Sequence, residues 1–112
     1  MVIDVYEQYF RAEAEFSEIP RRAAIVKLTS DSEAGNIRYT VSCNFFPFRD
    51  EEDFVISYDA YFEKEIYNAR GRRSKKREKG FMASFRETVD EMAAEHGAKV
   101  LWDEPIMDAR MA

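Results

Sequence analysis

The chain has 112 residues, of which 46% are hydrophobic, 14% aromatic and 35% charged, a mixture that supports one folded domain over residues 1–112 and excludes a disordered polyelectrolyte. No apolar run approaches the roughly 20 residues of a spanning helix, and the opening MVIDVYEQ carries acids where a secretion signal would carry Lys or Arg. A cytoplasmic protein with no membrane segment is expected, and the single Cys43 excludes a disulfide framework.

Residues 2–16 carry two periods. Val2, Val5, Tyr6, Tyr9 and Phe10 sit at helical spacing, whereas Phe10, Ala12, Ala14 and Phe16 alternate with Arg11, Glu13, Glu15 and Ser17. The longer, unbroken alternation predicts a strand, with an N-terminal helix as its competitor, and Ile19-Pro20 ends it. The short apolar run at 23–29 predicts a second strand, covered on both sides or central in its sheet. DSEAGN at 31–36 is a turn. In residues 37–46, Ile37, Tyr39, Val41, Cys43 and Phe45 alternate with Arg38, Thr40, Ser42 and Asn44, the pattern of a half-buried antiparallel strand.

A polar, acidic loop at 47–53 leads to residues 54–67. There Phe54, Ile56, Tyr58, Ala60, Phe62 and Ile66 fall on the core side, and Ser57, Asp59, Tyr61, Glu63 and Glu65 on the wet side. Further on, Phe81, Phe85, Val89, Met92, Ala93 and His96 recur at the spacing of an amphipathic helix, and Gly97 stands where a left-handed cap stops it. Ser74 is a candidate N-cap, but no Glu or Gln follows three residues later. Gly80 weakens the first turns, which places the ordered start nearer Gly80. KVLW at 99–102 suits a short fifth strand or a segment tucked along the sheet. The fold expected is α+β: a four-stranded antiparallel meander with one C-terminal helix on one face, and a short fifth strand after the helix.

Chemistry of the enzymatic kind finds few candidates. His96 is the only imidazole, and its place in the last helical turn is explained by the helix dipole and by covering the core edge. Cys43 falls on the inward face of its strand, as a buried small hydrophobe does. The acids at 50–53 point in different directions from a loop, and no glycine-rich phosphate cradle is present. No catalytic residue, metal site or cofactor is assigned, and the protein is expected to be a binding protein without enzymatic activity.

The unusual feature is charge. Seven of the 17 bases (Arg70, Arg72, Arg73, Lys75, Lys76, Arg77 and Lys79) and one of the 22 acids (Glu78) lie in residues 70–79, a local net of +6 that leaves −11 for the remaining chain. Bases at or before a helix N-terminus oppose the macrodipole, so the placement costs stability and hints at use. These seven are the candidate contacts to nucleic-acid phosphates, with Tyr61 and Tyr67, taken to lie on the wet face, as candidate stacking residues.

GRRSKKREK at 71–79, following a strand and opening a helix, resembles the Lys-Lys-x-x-Lys helix start of double-stranded RNA-binding domains. The similarity implies groove-spanning phosphate contacts by Lys75, Lys76 and Lys79. That family's alanine-rich helix face has no counterpart here, and residues 2–16 read as strand.

Two functions of different class follow. One is nucleic-acid binding through residues 70–79. The other is a protein-binding regulator or inhibitor, of the kind mobile elements encode, that meets a nucleic-acid enzyme or another basic partner through the acidic sheet face of Glu13, Glu15, Asp59, Glu63 and Glu65. An exposed edge strand permits a homodimer, and no residue requires one.

Overall fold

The computed structural model describes residues 1–15, 22–47 and 60–106. The expectations for Phe16, for the acids at 50–53, and for Phe54, Ile56, Tyr58 and Asp59 lie outside them. Five strands form one antiparallel sheet: β1 (Val2–Ala14), β2 (Arg22–Glu33), β3 (Asn36–Pro47), β4 (Ala60–Arg70) and β5 (Ala98–Pro105), in the order β4-β3-β2-β1-β5. Two helices, α1 (Lys75–Ala83) and α2 (Phe85–Ala94), link β4 to β5 across one face. The meander of β1 to β4 is as expected, and the fifth strand is present. It pairs with β1, so the first strand is internal and the helices cross the sheet from one edge to the other.

The alternation in β3 is realised in full. Ile37, Tyr39, Val41, Cys43 and Phe45 are buried under the helices with Ala24, Val26 and Leu28 of β2 and Phe10 and Ala12 of β1. α2 contributes Phe85, Val89, Met92 and Ala93. Tyr6 meets the Phe85 ring edge-on at 5.2 Å, and Trp102 of β5 packs on Phe10 at 4.9 Å while its Nε1–H donates to Asp90 of α2 at 2.8 Å.

Two bulges resolve the ambiguous periods. The β1–β2 register shifts between Asp4 and Tyr6, so Val5 and Tyr6, adjacent in sequence, both pack against the core. This inserted residue is what imitated helical spacing in a segment that is strand from Val2 onward. The β3–β4 register shifts between Tyr39 and Thr40, which turns both Ile66 and Tyr67 toward the core. Tyr67 therefore does not lie on the wet face, as strict alternation from Tyr61 implied. Its ring is 6.0 Å from Tyr39 and 5.8 Å from Phe81.

The single expected helix is divided at Ser84. Its N–H and hydroxyl both return to the Phe81 carbonyl, at 3.2 and 3.3 Å, a tightened turn that ends α1 before Phe85 opens α2. The Gly97 cap is present at φ +69, and the Glu15 N–H donates to the Gly97 carbonyl at 2.9 Å.

Candidate nucleic-acid interface

The basic segment is an ordered corner. Arg70 ends β4 opposite Asn36, the Gly71 N–H donates to the Gly35 carbonyl at 3.0 Å, and the helix starts at Lys75, earlier than Gly80. Ser74 caps it, Oγ accepting from the Arg77 N–H at 3.2 Å. Gly80 sits within α1, and its helical cost is offset by what holds the first turn to the sheet.

That hold is made by Glu78, the one acid in the segment. It is buried, and its carboxylate accepts the Tyr39 hydroxyl at 2.6 Å and both arms of the Arg73 guanidinium, Nε at 2.9 Å and an η nitrogen at 3.0 Å. The Ser74 N–H donates to the Tyr39 oxygen at 3.2 Å, so a single fully buried tyrosine in the middle of β3 joins the cap residue to the ion pair. The Arg73 hydrogen bonds hold the Glu78 carboxyl below the usual carboxylate range against the opposing effect of burial, with the Tyr39 bond assisting. Burial first, and the bond to Glu78 second, push the Tyr39 phenol up. A signal for this role exists in the sequence: the stripe of Phe81, Phe85, Val89 and Met92, extended back by three residues, falls on Glu78.

The seven bases thus divide. Arg73 is spent on Glu78, and the Arg77 guanidinium lies 4.5 Å above the Tyr67 ring. Arg70, Arg72, Lys75, Lys76 and Lys79 are exposed and make no ion pair with any described residue. On α1, Lys75, Lys79 and Lys76 fall within one arc of the helix that runs from Lys75, the i−3 neighbour of Glu78, to Lys76 on the far side from it. The two candidate stacking residues are separated: Tyr67 is covered by Arg77, Tyr39 and Phe81, while Tyr61 is on the opposite sheet face, 55% exposed, its hydroxyl donating to Glu63.

The acidic face is less of a unit than its composition implies. Glu63 and Glu65 of β4 and Glu13 of β1 are exposed, but two strands lie between β4 and β1. Glu15 leaves the lattice because the strand ends at Ala14, and its side chain rests against Gly97. Between the strands, four of the acids are paired. Lys27 reaches Glu7 at 3.1 Å and Asp4 at 3.9 Å, and Arg38 reaches Asp31 at 3.3 Å and Glu65 at 3.9 Å. The Glu7 hydrogen bond pushes the Lys27 amine up.

The two residues set aside on chemical grounds have structural places. The His96 ring lies flat on Phe62 at 3.9 Å, closing the core edge, and Cys43 is buried. Among the described residues no three His, Cys, Asp or Glu side chains converge to hold a metal ion, and no helix is long and apolar enough to cross a membrane. Comparisons with protein-family models, with curated proteins and with solved structures found no match to this chain.

Proposed function

We propose that this is a non-catalytic nucleic-acid-binding protein that grips the phosphate backbone of a duplex through Arg70, Arg72, Lys75, Lys76 and Lys79. The observation that carries the reading is a set of exposed cations at the positive end of a helix dipole, without ion pairs among the described residues, on a corner that buried Tyr39 and Glu78, with the exposed Arg73, tie to the sheet. An exposed charge of the wrong sign at a helix end costs about 0.3–1 kcal/mol, and acids were available elsewhere in the chain to relieve it. A ridge of cations whose neighbouring tyrosine is already covered offers charge and shape but no ring for base stacking, which favours duplex over single strand. The pairing of Glu65 with Arg38 and the two strands that separate Glu63 from Glu13 weigh against the protein-binding reading placed on that face.

The test is fluorescence anisotropy with duplex RNA, duplex DNA and single-stranded DNA at several salt concentrations. Contact with about five phosphates sets a slope of log K against log salt of roughly −4 to −5 on a duplex. Reversal of Lys75, Lys76 and Lys79 to Glu is expected to abolish binding while leaving thermal stability equal or higher, because acids suit a helix N-terminus. Lys99→Glu, on β5, serves as the control for net charge. Absence of duplex binding at low salt, or equal loss from the Lys99 variant, would overturn the proposal.

A further inference from the structure

We propose that the outward crest of α1 and α2 pairs with the same crest of a second copy of this chain, the two running antiparallel about a two-fold axis between Gly80 and Ala83. The inference does not rest on the nucleic-acid reading.

The two helices follow one another through the single residue Ser84. Their buried residues, Glu78 of α1 and Phe85, Val89 and Met92 of α2, recur at helical spacing, so both helices turn one continuous face to the sheet. Half a turn away, Lys76, Gly80, Ala83 and Glu87 follow each other at four, three and four residues and are all exposed. This crest is basic at one end, small in the middle and acidic at the other. The chain is described from Ala60 to Ile106, so the crest has described neighbours on both sides.

Three of its features go unexplained within one copy. Lys76 stands in the first turn of α1 against the dipole, and among the described residues its side chain has no ion pair. Glu87 and Glu91, likewise exposed and unpaired among the described residues, are like charges one turn apart, a destabilising arrangement. Gly80 is interior to α1, where glycine is disfavoured, yet its φ lies outside the left-handed range and a Cβ there would meet nothing within 4 Å.

Antiparallel pairing accounts for all three. Gly80 of each copy lies opposite Ala83 of the other, and the small side chains let the helix axes approach to about 8 Å, the near end of helix packing distances. Lys76 of each copy then meets Glu87 of the other, and Arg72, exposed just ahead of the Ser74 cap, comes beside Glu91. Charge also sets the direction, since a parallel pair would place Lys76 against Lys76 and Glu87 against Glu87. Arg72 and Lys76 are two of the five cations proposed above to contact phosphate, so a second copy and a duplex compete for them.

Sedimentation velocity of the 112-residue chain, without nucleic acid, tests the pairing over about 10 µM to 1 mM, a range suited to an interface below the standard size. A monomer–dimer equilibrium is expected, with Kd rising about tenfold or more from low to high salt. Lys76→Glu alone and Glu87→Lys alone each set like charges opposite one another twice and are expected to weaken the dimer by about tenfold or more, whereas an equimolar mixture of the two variants restores complementarity and is expected to form a heterodimer. Gly80→Gln has room within its own copy and improves helix propensity, so it is expected to weaken the dimer while thermal stability is kept or raised. A monomer up to about 1 mM at low salt, a mixture that stays monomeric, or an equal loss from Lys99→Glu on β5 would overturn the proposal. None of these outcomes depends on phosphate binding, so failure here and failure of the nucleic-acid reading are told apart.

Discussion

Tyr39→Phe removes one oxygen atom from the centre of the molecule and tests whether the basic corner is built on the buried cluster. The ring volume is kept, so packing against Tyr67 and Phe81 survives. What is lost is the 2.6 Å bond to the Glu78 carboxylate and the 3.2 Å bond from the Ser74 N–H. A hydrogen bond to a charged group contributes about 1.5–3 kcal/mol. The Arg73 fork remains on Glu78, so the carboxylate is not left unpaired and the loss stays near the middle of that range, about 2 kcal/mol or roughly 8 °C in Tm for a chain of this size. Urea unfolding followed by circular dichroism measures it, with m unchanged. Hydrogen exchange of the Arg77 and Glu78 amides, which bond to Ser74, is expected to accelerate more than that of β3.

The pH dependence has a definite sign. Glu78 has a folded pKa below its unfolded value, so its stabilisation is complete above the ordinary carboxylate range and is lost as pH falls through the lowered folded value. Tyr39 has a folded pKa above its unfolded value, so its contribution is complete below about 10 and lost as pH rises through the raised folded value. The difference between wild type and Tyr39→Phe is therefore flat near neutrality and narrows at both extremes. A loss under about 0.5 kcal/mol, or a difference that widens in acid, would refute the account of the cluster.

Gly97→Ala is expected to cost about 1–2 kcal/mol, because φ is +69 and a Cβ there would stand 2.7 Å from a Glu15 carboxylate oxygen; adding Glu15→Ala recovers only the steric part, and a neutral thermal melt for the single variant would contradict this. Ala34→Asn is expected to raise stability by about 0.5–1 kcal/mol, since Ala34 and Gly35 form a two-residue hairpin loop with φ of 52 and 82 where asparagine tolerates the left-handed region better than alanine; no rise in the urea midpoint would contradict the assignment. Burial, with the nearby Asp90 charge adding to it, pushes the Cys43 thiol up to about 12. At pH 8 it is expected to react with an aromatic disulfide reagent on the order of a thousandfold more slowly in the native protein than in urea, and comparable rates would show that the thiol is accessible.

How much of this was legible varies by element. The strand faces of β3, the inward Phe62 and outward Glu63 of β4, and the core stripe of α2 were readable because period 2 and period 3.6 are imposed by backbone geometry on any chain with one buried face. Tyr67 was misread, and the helical competitor to the N-terminal strand arose, for one reason: a bulge adds a residue to one strand and reverses parity beyond it, and its position depends on the partner strand. The early helix start was missed because Gly80 and the absent capping box argued locally, while the Tyr39 hydroxyl acts from a strand 35 residues away.

The sequence by itself determined the class of the fold, the faces of its regular strands and the existence of a concentrated basic segment, since composition, alternation and charge are properties of neighbours along the chain. Only the tertiary structure decided which of the bases in that segment stand free. Arg73 and Arg77 differ from Lys75 and Lys76 not in charge but in what lies beneath them, the buried Glu78 carboxylate that a β3 hydroxyl holds for one and the aromatic face of Tyr67 on β4 for the other. The same holds for the acids. Lys27 and Arg38 compensate them across strands whose register is set by side chains packing on the other face of the sheet, which no local pattern encodes.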